Sequence, residues 1–117
     1  MSEKAIIYHN PRCSKSRETL EILESHGEPF DIVKYLDVPP AKATLQNILT
    51  LLELTPRELM RKGESEYAEN NLADQSLTDD QLIEAMIEHP KLIERPIVVK
   101  NDRAVIGRPP ESVLNIL

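Results

Sequence analysis

The sequence predicts an α/β fold, a mixed sheet with helices packed on it and a helical segment inserted part-way along the chain. Three observations carry this. A strand–helix–strand pattern opens the chain, amphipathic helical patterns fill its middle, and two strand-forming runs around a two-residue turn precede a closing helix. Ala5-Ile6-Ile7-Tyr8 is a short apolar run with β-branched residues that ends at His9-Asn10-Pro11, so it reads as a buried strand followed by a loop. Over 14–26 the pattern turns helical, with Leu20 and Leu23 three apart among charged residues and Gly27 as the stop. The run 30–36 (FDIVKYL) is rich in strand formers, and a right-handed crossover through the helix sets it parallel to the first strand.

Pro39-Pro40 close that unit, after which Leu45, Ile48, Leu49 and Leu52 mark the apolar face of a helix over 41–54. Thr55-Pro56 reads as an N-cap and first-position proline for a short helix through 57–62 that stops at Gly63, placing Arg57 and Arg61 on one face. A further helix begins at Thr78, carries Leu82, Ile83, Met86 and Ile87 as its stripe, and cannot continue past Pro90. The runs 96–100 and 103–107 flank Asn101-Asp102 and predict two antiparallel strands joined by a tight turn. Pro109-Pro110 then opens a closing helix over 111–117. With no repeat, linker or low-complexity tract, a single domain over 1–117 is expected.

Composition narrows the classes of function. The chain has 117 residues, 40% of them hydrophobic, which suffices for one core without a metal or disulfide staple. Its 14 basic and 20 acidic residues give a net charge of −6, which disfavours binding to nucleic acid or to an anionic membrane through overall charge. Three tyrosines, one phenylalanine and no tryptophan leave little from which to build base-stacking platforms. No run of about 18 apolar residues appears, and the first residues lack the apolar stretch of an export signal, so a soluble cytoplasmic protein is expected. No spacing of His, Cys and carboxylates suggests a metal site, and no bound cofactor is indicated.

The single cysteine, Cys13, falls at the junction of the first strand and helix. By residue type it reads as a small core hydrophobe. Its polar neighbours Asn10, Arg12, Ser14, Lys15 and Ser16, and the helix N-terminus that follows, read instead as the surroundings of a reactive thiolate. Backbone N–H groups that favour a thiolate also hold an oxyanion, so nucleophile and substrate anchor can share one loop. Downstream, Arg61, Arg95 and Arg108 offer forked donors suited to tetrahedral oxyanions, although any one arginine taken blindly reads better as a solvated surface charge. Arg95 starts one predicted strand and Arg108 ends its antiparallel partner, which brings both to one edge of the sheet. His9 reads equally as a proton-transfer group and as a structural hydrogen-bonding partner. His26 and His89 fall in last helical turns, where a capping role suffices.

Tyr8-His9-Asn10-Pro11-Arg12-Cys13-Ser14-Lys15-Ser16-Arg17 resembles the active-site segment of the glutaredoxin-dependent arsenate reductases, the ArsC family. Tyr35-Leu36 with Pro39-Pro40, the segment 57–62 (RELMRK), the segment 77–82 (LTDDQL), His89-Pro90, 95–99 (RPIVV) and Gly107-Arg108-Pro109 extend the likeness over essentially the whole chain. It is strongest to the short bacterial members called YfgD-like. The resemblance implies a thioredoxin-like core at about 4–37 and 93–117 with a helical insert at about 38–92. It also implies Cys13 as nucleophile, His9 and Ser16 as thiolate-stabilising, Arg61, Arg95 and Arg108 as anion-binding, and a cis bond before Pro96. Arsenate would be the substrate, with glutathione and glutaredoxin as reductants and glutaredoxin as the protein partner. Two rival readings remain from the sequence: a regulator resembling Spx that binds RNA polymerase, and a monothiol glutathione-dependent reductase. Spx-type switching uses two cysteines three apart, and here the second of those positions is Ser16.

Overall fold

The computed structural model describes residues 4–117. The chain forms two compact units, one from the chain up to Val38 together with Arg95–Leu117, the other from Pro39–Glu94.

In the first unit, β1 (Ala5–Tyr8) leads through a loop to α1 (Ser14–His26), which returns to β2 (Phe30–Val33). β3 (Ile97–Lys100) and β4 (Arg103–Ile106) follow, and a 3₁₀ turn, Pro110–Asn115, closes the chain. The sheet order is β2-β1-β3-β4, with β1 parallel to β2 and antiparallel to β3. Alternation along β1 sends Ala5 and Ile7 to one face, where they pack with Val98, Leu23 of α1 and Val113 as the buried core. The β3–β4 hairpin turns at Asn101, whose φ of 57° is the left-handed conformation that asparagine tolerates better than most side chains. α1 ends on Gly27 at φ 80°, where glycine bears no Cβ penalty.

The second unit is helical. α2 (Lys42–Leu52) buries Leu45, Ile48 and Leu49. Two short helices follow, α3 (Pro56–Leu59) and α4 (Ser65–Glu69), and then α5 (Asp79–Glu88), which buries Leu82, Ile83 and Met86 and packs against α2 and α3. Thr55 with Glu58 and Thr78 with Gln81 form reciprocal capping boxes that start α3 and α5. A 3₁₀ turn, Pro90–Leu92, completes the unit. Among the described residues, no helix is long and apolar enough to cross a membrane, and no group of His, Cys, Asp or Glu is placed to hold a metal ion.

Three expectations need correction. The strand expected over 30–36 ends at Val33, because the Lys34 carbonyl accepts the N–H groups of Asp37 and Val38 and closes a turn. The helix expected over 57–62 ends at Leu59, because Met60 forms a β-bridge with Ile93 and the flanking Arg61 N–H and Glu94 N–H bond the carbonyls of Leu92 and Leu59. Arg57 and Arg61 therefore do not share a helical face. The closing segment is a 3₁₀ turn over Pro110–Asn115, not an α-helix over 111–117.

Candidate active site

The loop from β1 to α1 is fixed by its own polar groups. Cys13 N–H donates to the Asn10 carbonyl at 3.0 Å, and the Asn10 side-chain oxygen accepts from Arg12 N–H at 3.0 Å. Arg17 Nη1 reaches back to the Pro11 carbonyl at 3.0 Å. This winding leaves Cys13 at the N-cap of α1 with extended dihedrals, φ −94° and ψ 122°, while its carbonyl accepts the first helical N–H, from Arg17. The Cys13 side chain makes no cap hydrogen bond there, so the first-turn N–H groups of α1 are left without a side-chain acceptor. The thiol is partly exposed.

Beneath this loop, His9 is 5% exposed and Ser16 fully buried, and Nδ1 of His9 lies 2.6 Å from Ser16 Oγ. Ser16 Oγ also accepts the Asn10 N–H at 3.0 Å. Burial, and then the charges of Lys34 and Arg17, hold the His9 pKa below its ordinary value, so the imidazole is neutral at neutral pH. A neutral ring satisfies the contact in two ways: Ser16 donates to Nδ1, or Nδ1–H donates to Ser16. Only the second leaves the hydroxyl proton available to another acceptor. The Ser16 hydroxyl bonds His9 and Asn10, not Cys13, in the arrangement observed.

Arg108 reaches this sulfur from the far end of β4. Its Nε donates to the Arg95 carbonyl at 2.9 Å, and its Nη2 lies 3.6 Å from Cys13 Sγ. The strand pairing that brings Arg95 and Arg108 to one edge is completed by Gly107 N–H donating to the Pro96 carbonyl at 2.9 Å. The Arg95–Pro96 bond is cis, as the family resemblance implies, and Arg108–Pro109 is cis as well. Gly107 is enclosed: a Cβ there would lie 2.5 Å from Thr19 Oγ1 and 2.8 Å from Pro96 Cγ, so this close approach of β4 to α1 requires glycine.

Arg61 lies in the second unit, where its guanidinium pairs with Glu64 at 3.6 Å and Glu94 at 3.7 Å. Arg57 anchors the 67–74 stretch through Tyr67 Oη, the Leu72 carbonyl and the Asp74 carbonyl. In the sequence His9, Cys13 and Ser16 stand out, whereas Asn10 reads only as a polar neighbour of the thiol. Its role in fixing the loop was signalled by an asparagine directly before proline, a turn-starting pair.

A mixed four-stranded sheet with a cysteine at the head of its first helix and an arginine beside the sulfur defines a thioredoxin-like thiol protein. The chain belongs to the ArsC family, whose model matches residues 8–116. It is 54% identical to the protein YfgD of Escherichia coli strain K12, over all of this chain and 99% of that one. An arsenate reductase of Haemophilus influenzae is 48% identical over 96% of this chain and 97% of its own length. Among solved structures, an arsenate reductase from Vibrio cholerae superposes with a TM-score of 0.94 at 52% identity, covering both chains completely.

Proposed function

We propose that this protein reduces arsenate to arsenite with Cys13 as its only nucleophile and with glutathione and glutaredoxin as electron donors. The observation that carries the reading is the Arg108 guanidinium 3.6 Å from a sulfur seated at the N-cap of α1. First-turn N–H groups and a guanidinium stabilise negative charge on sulfur and on an arriving oxyanion alike. The names of the relatives from Haemophilus influenzae and Vibrio cholerae support arsenate as that oxyanion.

In this mechanism the Cys13 thiolate attacks arsenic(V), an S–As bond forms, and one arsenate oxygen leaves as water after protonation. Arg95 and Arg108 hold the remaining oxygens. His9, in the tautomer that donates from Nδ1 to Ser16, frees the Ser16 hydroxyl to donate toward Cys13. A glutathione thiolate then attacks the Cys13 sulfur. An S–S bond forms, the electron pair of the S–As bond stays with arsenic, and arsenite departs, reduced by two electrons. A glutaredoxin thiolate removes the glutathionyl group and returns the Cys13 thiolate. With one cysteine in the chain, the resolving thiol has to come from outside. A reducing, cytoplasmic setting goes with such a cycle.

Steady-state arsenite formation with arsenate, glutathione and glutaredoxin tests the reading. Turnover by the wild type that disappears in Cys13→Ser and on omission of glutaredoxin is expected. Absence of turnover in the wild type, or equal turnover in Cys13→Ser, would sink it.

A further inference from the structure

A cavity of about 370 Å³ opens on the flank of the catalytic loop, between His9, Asn10 and Arg12 on one side and Lys34, Leu36 and Asp37 on the other. Small-molecule sites run from about 300 to 1,000 Å³, so its size suits a compact ligand. All six residues belong to the first unit. Two of them are cations. Among the described residues, neither the Arg12 guanidinium nor the Lys34 ammonium takes part in an ion pair or a side-chain hydrogen bond. The Asp37 carboxylate provides one negative charge at the same rim. Lys34 stands near enough to His9 for its charge to join burial in lowering the imidazole pKa.

Building on the reductase reading, we propose that this cavity docks glutathione, with its two carboxylates on Arg12 and Lys34 and its ammonium on Asp37. The charges of ligand and cavity then match one for one, while a protein of net charge −6 gains a local anchor for an anionic tripeptide. Arg12, which lines the cavity, immediately precedes Cys13 in the chain. A tripeptide spans about 10 Å end to end and carries its thiol on the middle residue, so a molecule anchored at both ends in this cavity offers that thiol from its centre. The site thus holds the reductant between the catalytic loop and the turn after β2.

Disulfide exchange tests the cavity without arsenate. The Cys13 thiolate attacks glutathione disulfide, forming a Cys13–glutathione disulfide and releasing one glutathione thiolate; intact mass spectrometry follows the rate. Arg12→Gln and Lys34→Gln are each expected to slow this reaction about fivefold, and the double variant more, as exposed ion pairs of about 1 kcal/mol are lost. With neutral bis(2-hydroxyethyl) disulfide, where only the effect of the two charges on the Cys13 thiolate is lost, the slowing is expected to be clearly smaller. Equal slowing with both disulfides would mean that the two charges act on Cys13 itself, and no slowing with either would mean that they bind nothing; both results overturn the proposal. Because arsenate takes no part, failure of the reductase reading and failure of the cavity are distinguishable.

Discussion

Arg108 is oriented by its own second contact. With Nε bonded to the Arg95 carbonyl, the guanidinium plane is fixed and Nη2 is directed to Cys13. Arg108→Ala should lower kcat/KM for arsenate about 100-fold, the usual loss for one donor at a developing charge, as read from initial rates. Arg108→Lys should recover little of it, because an ammonium cannot hold carbonyl and sulfur in one rigid fork. At His9 the structure supports a pH effect whose sign follows from its lowered pKa. Below 6.5 the unfolded chain protonates this imidazole before the folded chain does, so stability rises with pH in that window. The contribution is complete above about pH 6.5 and lost as pH falls below it. Urea denaturation across that range should show the slope in the wild type and a reduced slope in His9→Asn. The position of Cys13 was legible because a strand pattern, a turn pair and a helix pattern abut there. The Ser16–His9 bond was not legible as geometry, since it joins residues seven apart across a loop whose path depends on Asn10.

Elements with strong local signals matched their expectation: β1, α1 with its Gly27 stop, the β3–β4 hairpin, and α5 begun by Thr78. Elements ended by distant partners did not. No local pattern announces that Met60 will bridge Ile93 and cut α3 short after one turn. Likewise β2 stops at Val33 because one carbonyl, that of Lys34, accepts two later N–H groups. Two substitutions probe this scale. Gly107→Ala should cost about 1–3 kcal/mol in urea melts, because its methyl group would overlap Thr19 and Pro96, neither of which can retreat from the buried interior. Thr78→Ala should cost about 1 kcal/mol by removing the α5 cap, with arsenate kinetics unchanged. A Gly107→Ala protein as stable as the wild type would mean that β4 and α1 are less closely packed than the structure has them.

For the whole molecule, the net charge of −6 conceals a local reversal. Arg108 lies 3.6 Å from Cys13 Sγ, Arg17 reaches back to the Pro11 carbonyl of the same loop, and Arg12 and Lys34 line the cavity on the loop's flank, so an anion meets positive charge near the lone thiol. In the sequence Arg12 and Arg17 flank Cys13, whereas Arg108 reaches it only through the antiparallel return of β3 and β4, 95 residues from Cys13. In the proposed cycle this thiol forms a bond to arsenic that glutathione then breaks. Intact mass spectrometry of the protein incubated with glutathione and arsenate, glutaredoxin withheld, tests it most directly. With reduced glutathione freed of its disulfide, one glutathionyl group on Cys13 that forms only when arsenate is present is predicted; an unmodified protein, or the same modification without arsenate, would contradict it.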